Sequence, residues 1–252
     1  MFTVTTTQHR GKQQREQQDA LFDGTRTVQS LNHPVSCNAH HTKGLLIAVA
    51  DGVSVSPHPD LASRYWMDML AQTQHSHSFD ARLLRQIHSQ MCKKMARGNT
   101  YGSSTTLVAA SIKNNLCTIL NVGDSRAYHI NTKGDWQQLS HDHTVLNEFI
   151  ASGQAQSDED YADIYSGLTH CLVADEDSFD FAIARAEKSL AVGECILLCS
   201  DGVHDVLSAE FLQQSFKKYP LKECVTHWRK QILRMGAPDN FSIVLAQLES
   251  LA

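Results

Sequence analysis

Two stretches far apart in the chain share a design that few folds can accommodate. Leu45-Leu46-Ile47-Ala48-Val49-Ala50 runs apolar and stops at Asp51-Gly52, and Cys195-Ile196-Leu197-Leu198-Cys199-Ser200 stops at Asp201-Gly202. Apolar runs of this length, without the alternation of a one-sided strand, read as strands buried on both faces. Each delivers a carboxylate to the rim of a dry core, where a charge is tolerated only beside something cationic. Two strands of one design suggest one shared cation site.

Composition narrows the class. The chain has 252 residues, 42% of them hydrophobic, and no long linker, so one domain over 1–252 is expected. A net charge of −5 with both signs dispersed argues against a nucleic-acid-binding protein. No apolar run approaches membrane-spanning length, and Met1-Phe2-Thr3-Val4-Thr5 has no basic segment followed by an apolar one, so the chain reads as cytoplasmic with no membrane partner. Seven cysteines, mostly within apolar runs, read as reduced core residues. His75/His77 and His141/His143 hint at zinc, but no cysteine or further histidine falls at ligand spacing from either pair.

The order of elements sets the fold class. Residues 11–19 are polar and lead into Ala20-Leu21-Phe22, while 23–44 show turn chemistry with little apolar periodicity. Helical spacing follows in Ala62, Tyr65, Trp66, Met69 and Leu70, with Asp60 at the N-cap position, and again in Leu84, Ile87, Met91 and Met95 after Asp80. Strands over 105–112 and 116–122 flank Lys113-Asn114-Asn115, a hairpin turn, and a further strand begins after Gly123-Asp124-Ser125-Arg126. The acidic segment 147–180 reads as a short helix with a mobile flap. Helices near 209–218 and 221–235, the latter with Val225, Trp228, Ile232 and Met235 on one face, precede a strand over 241–245. Strands and helices do not alternate as in a parallel sheet, so an α+β domain with helices on antiparallel sheets is expected.

Asp19, Asp51, Asp124, Asp201 and Asp239 all sit where an apolar strand meets a turn. Taken singly, these positions read more readily as a turn, a cap or a solvated loop; it is their joint occurrence in this order that favours a shared site. If the strand ends converge, their repulsion demands divalent cations, and all-oxygen sites suit Mg²⁺ or Mn²⁺. Two such ions acidify a water and stabilise displacement at phosphorus, which is the chemistry of a phosphate-ester hydrolase.

Gln17-Gln18-Asp19-Ala20, Val49-Ala50-Asp51-Gly52, Gly102-Ser103-Ser104-Thr105-Thr106, Val122-Gly123-Asp124-Ser125-Arg126-Ala127-Tyr128, His141-Asp142-His143, Cys199-Ser200-Asp201-Gly202-Val203 and Pro238-Asp239-Asn240-Phe241 together resemble the motifs of the metal-dependent PPM family, the type 2C serine/threonine protein phosphatases, in its compact bacterial form. The resemblance implies a four-layer fold, a central antiparallel β-sandwich flanked by pairs of α-helices, with a binuclear centre at one edge. It implies that Asp51 bridges two ions, Mn²⁺ or Mg²⁺, one of which also takes the Gly52 carbonyl. Asp201 and Asp239 complete the other, Asp124 holds a possible third with Asp201, and Asp19 acts through water. The attacking species is a metal-bound water. The implied substrates are phosphorylated proteins of a cognate Ser/Thr kinase, and the chain is expected to be a monomer.

Four positions depart from the family pattern. Val53, Ser54 and Val55 replace the usual Met or His followed by glycines. The family's phosphate-binding arginine falls at Gln14, with Arg15 one position off, so Arg15 is the candidate for substrate phosphate only if the backbone reorients it. Arg126 reads as a structural ion-pair partner. The competing readings are a small-molecule phosphomonoesterase and a non-catalytic relative that binds phosphoprotein or a partner.

Overall fold

The computed structural model describes residues 1–73, 78–156, 167–178 and 180–250. Two antiparallel six-stranded sheets lie face to face. The first is built from β1 (Phe2–His9), β4 (Asn32–His40), β9 (Arg126–Ile130), β10 (Trp136–Gln138), β13 (Cys195–Cys199) and β14 (Phe241–Leu248) in the order β10-β9-β13-β14-β1-β4. The second contains β2 (Ala20–Phe22), β3 (Thr27–Val28), β5 (Gly44–Ala50), β7 (Leu107–Lys113), β8 (Leu116–Val122) and β12 (Ala184–Ser189), ordered β12-β8-β7-β5-β2-β3. A two-residue ladder pairs β6 (Ser104–Thr105) with β11 (Leu172–Val173). The helices are α1 (Pro59–Gln72), α2 (Ala81–Met95), α3 (Val145–Ala151), α4 (Asp201–His204), α5 (Ala209–Lys218) and α6 (Leu221–Arg234).

The unbroken apolar runs find their explanation in three stacked apolar layers. In β5, Leu45, Ile47 and Val49 point into the layer between the sheets, whereas Leu46, Ala48 and Ala50 pack against Trp66, Met67 and Leu70 of α1 and Leu84, Ile87 and Met91 of α2. In β14, Val244 and Ala246 enter the middle layer, while Ile243 and Leu245 face Leu212 of α5 and Trp228 and Ile232 of α6. Burial on both faces of a strand removes any reason for alternation. The expected α+β architecture, a β-sandwich with a helix pair on each outer face, is what the chain adopts.

Local chemistry sets most boundaries as expected. Asn114 and Asn115 take φ of 48° and 64°, the consecutive left-handed pair of a tight hairpin turn. Asp80 caps α2 by accepting from Leu83 N–H at 3.0 Å. Asp60 does not cap α1: the helix begins two residues earlier, with His58 at the N-cap and Pro59, whose ring fixes a helical φ, at the first position. Met235 is 55% exposed and leaves the buried face of α6.

Two strands depart from the expectation for their segments. β4 lies within 23–44, expected to be turn-rich, and forms a sheet edge where one side carries no apolar demand. β1 carries Thr5, Thr6, Thr7 and Gln8, all buried; Thr6, Thr7 and Gln8 find side-chain hydrogen-bond partners in His33, Asp19 and Ser242, and no hydrophobic pattern marks this stretch. Of the segment 147–180, expected to be a short helix with a flap, α3 and β11 are described, and 157–166 and 179 lie outside the described residues. Among the described residues no helix is long and apolar enough to cross a membrane.

Candidate metal-dependent active site

Antiparallel pairing brings five chain segments to one edge of the sandwich. Asp51 follows the end of β5, Asp201 the end of β13, and Asp124 the end of β8, whereas Asp19 and Asp239 precede β2 and β14. Asp51, Asp124, Asp201 and Asp239 line one cleft of about 400 Å³ together with Gly52, Val53, Ser54 and Val55. Among the described residues lining it there is no Lys, Arg or His.

The backbone beneath each carboxylate is tightly held. The Asp51 carbonyl accepts from Thr106 N–H (2.7 Å) and Thr105 Oγ1 (2.8 Å), and Asp51 N–H donates to Thr106 Oγ1 (3.1 Å). A Cβ on Gly52 would lie 2.5 Å from the Pro59 carbonyl oxygen, so only glycine lets the loop pass the start of α1. Gly123, at φ +96°, turns the chain into Asp124; its N–H donates to His143 Nδ1 (3.0 Å), and His143 N–H returns a bond to its carbonyl (3.0 Å). Burial first, then the neighbouring His170 and His141, push the His143 pKa down to about 4, so it serves as a neutral acceptor. Arg126 forms the expected structural pair, 2.6 Å from Asp142 Oδ2.

Asp19 is completely buried, behind the cleft. Its Oδ2 accepts from Ser200 Oγ (2.8 Å) and Ser242 Oγ (2.7 Å), while its Oδ1 has no hydrogen-bond partner. Burial, with the charges of Asp201 and Asp239, outweighs the two serine bonds and raises its pKa to about 7. Burial, with Asp201 and Asp142, raises Asp124 to about 7 as well. Asp51 and Asp201 share a side-chain hydrogen bond, and burial lifts both above the ordinary carboxylate range.

These features define a site short of positive charge. The buried partnerless oxygen of Asp19, the raised carboxyls and the absence of a basic lining residue all fit hard divalent cations, and the donors are oxygens throughout. Among the described residues no three His, Cys, Asp or Glu side chains stand close enough to hold one ion between them. Mg²⁺-like ions need only one or two carboxylates, the rest of the shell being carbonyl oxygen and water.

Arg15, the candidate for substrate phosphate, stands apart from the acidic cleft. Arg15 is exposed and is not among the cleft-lining residues; its carbonyl accepts from Arg10 Nη1 at 2.9 Å. Gln14 is the residue that reaches the acidic group, donating from Nε2 to Asp239 Oδ1 at 3.1 Å. Asn240, which sequence alone leaves as a turn residue, ties this loop down: its Nδ2 donates to the carbonyls of Arg10 (2.6 Å) and Glu16 (3.1 Å), and its Oδ1 accepts from Gln18 N–H. The serine pair on Asp19 also escaped the sequence reading, although Ser200 directly precedes Asp201.

Comparison with known proteins gives this antiparallel sandwich and its acidic edge a family. The model of the protein phosphatase 2C family matches residues 32–244, and the chain belongs to that family. It is 26% identical over 147 residues to the serine/threonine protein phosphatase PstP of Mycobacterium tuberculosis, a match covering 58% of this chain and 28% of PstP. Protein phosphatase PhpP of Streptococcus pneumoniae is 25% identical over 167 residues, which cover 65% of this chain and 66% of PhpP. The matched segment thus spans about a quarter to two thirds of these curated relatives. The crystal structure of mycobacterial PstP/Ppp superposes with a TM-score of 0.81 at 22% identity over 99% of this chain and 100% of that one. Stp1 of Staphylococcus aureus gives 0.82 at 21% over 99% and 96%. The PstP catalytic domain in complex with two manganese ions gives 0.75 at 21% over 99% and 100%.

Proposed function

We propose that the chain is a Mn²⁺- or Mg²⁺-dependent phosphatase acting on phosphoserine and phosphothreonine in proteins, with 1–252 as one catalytic domain and the segment at about 147–180 as its flap. The observation that carries this reading is the gathering of Asp51, Asp124, Asp201 and Asp239 around a cleft with no basic lining residue, backed by buried Asp19. In this reading Asp51, the Gly52 carbonyl, Asp201 and Asp239 would hold two divalent ions between them, Asp124 with Asp201 would hold a third, and Asp19 would contribute through water. Bound there, divalent ions supply a water acidified to work near neutral pH and offset the charge gathering on the phosphoryl oxygens. The names of PstP and PhpP, and the two manganese ions of the PstP catalytic domain, support the assignment.

The chain's own residues supply positioning. Thr105 and Thr106 fix the backbone that presents Asp51 and Gly52. Ser200 and Ser242 fix Asp19 by one oxygen and leave the other open to a water. The His143 and Gly123 pair sets the turn that carries Asp124. Substrates in this reading are proteins phosphorylated by a cognate Ser/Thr kinase, met by a monomer in the cytoplasm, a location that suits seven unpaired cysteines.

The test is phosphate release from a phosphothreonine peptide with Mn²⁺, with EDTA, and with Asp201→Asn. Release is expected only from the wild type in Mn²⁺. Turnover of small phosphomonoesters but not of peptide would transfer the chain to small-molecule chemistry. Phosphopeptide binding without any release would make it a non-catalytic relative.

A further inference from the structure

The loop before β2 wraps around Asp239 and Asn240 more closely than a surface loop needs to. A Cβ on Gly11, at φ +77°, would lie 2.3 Å from the Asp239 carbonyl oxygen, so backbone meets backbone there, and Lys12 N–H donates to the Ala237 carbonyl at 2.8 Å. Asn240 holds the far side of the loop through Arg10, Glu16 and Gln18. The loop so fixed sets Gln14, half-buried, with Nε2 3.1 Å from Asp239 Oδ1. The same oxygen accepts from Asn240 N–H at 2.7 Å. Both of these bonds fall on Oδ1, which leaves Oδ2 for whatever occupies the cleft that Asp239 lines.

We propose that Gln14 is a positioning residue for Asp239, aiming its carboxylate at a divalent cation through a neutral amide; this rests on the metal-dependent reading above. An amide donating at 3.1 Å orients the Asp239 carboxylate and leaves its charge intact for a cation. The glutamine at position 14, noted in the sequence as a departure, and the exposure of Arg15 thereby become one feature: the loop meets the acidic centre with a dipole in place of a charge.

The test measures Mn²⁺ binding to the full chain by titration calorimetry, without substrate, for wild type, Gln14→Met and Gln14→Ala. Methionine keeps the side chain's length and loses the donor. Both variants are expected to bind Mn²⁺ about tenfold more weakly, the loss typical of one charge-assisted hydrogen bond. Metal-free melting temperatures should stay at the wild-type value, which separates aiming from mere packing. Wild-type Mn²⁺ affinity in Gln14→Met would overturn the role of Gln14 and leave the metal-dependent reading standing. A wild type that binds no Mn²⁺ would overturn both.

Discussion

Asp19 offers the sharpest test of the idea that this edge of the sandwich is built around missing positive charge. Its carboxyl is completely buried and its pKa rises from 3.8 to about 7. Between those values the folded chain holds a proton that the unfolded chain has released, so stability must fall as pH rises through the window. At about 1.4 kcal/mol per unit the full swing is roughly 4 kcal/mol, of which roughly 3 kcal/mol falls between pH 5 and 8. Against a typical total stability of about 5–15 kcal/mol this is a large fraction. Other groups titrate in the same range, His143 with the opposite sign, since its depressed pKa costs stability as pH falls towards 4. The difference between wild type and Asp19→Asn cancels the groups that do not feel Asp19, while Asp51 and Asp201, whose charges are coupled to it, belong to the measured difference. Asparagine leaves a constant offset, because its amide nitrogen stands where Oδ1 has no partner, and it cannot titrate. Urea unfolding in EDTA at several pH values should show wild type losing roughly 3 kcal/mol relative to Asp19→Asn between pH 5 and 8. Saturating Mn²⁺ should flatten the wild-type slope. Parallel profiles in EDTA would refute the argument, for they would mean that Asp19 is ionised throughout and already compensated within the protein.

Two further outcomes follow from the loop over the site. Asn240→Ala removes two donations and one acceptance that fasten Arg10, Glu16 and Gln18, and should cost about 3 kcal/mol in urea unfolding; a loss under about 1 kcal/mol would show the loop to be held elsewhere. Arg15→Ala, at an exposed side chain outside the cleft lining, should leave the KM for para-nitrophenyl phosphate within about twofold, and a rise of about tenfold would return its guanidinium to the substrate.

The parts of this molecule that could be read in the sequence are those fixed by local pattern. An apolar run ending in Asp-Gly states its own consequence, because a strand buried on both faces has no polar position until it leaves the core, as β5 and β13 do. The helix faces of α2 and α6 and the Asn114-Asn115 turn are local in the same sense. Where polar residues are buried, the pattern disappears: β1 buries three consecutive threonines, and β4 lies at an edge with little apolar side to display. The candidate site divides along the same line. Its aspartates were visible because strand ends announce them. The neutral groups that aim them, Gln14 on Asp239 and Ser242 on Asp19, are brought together across 225 and 223 residues, and nothing adjacent to either marks the meeting. A buried or clefted carboxylate without a cation in the chain needs neutral donors to hold its direction, since a charged donor would fill the place left for the ion. The silence of the sequence about Gln14 and the serines is therefore a consequence of the chemistry: residues that orient charge without adding any carry no signature until the fold sets them beside it.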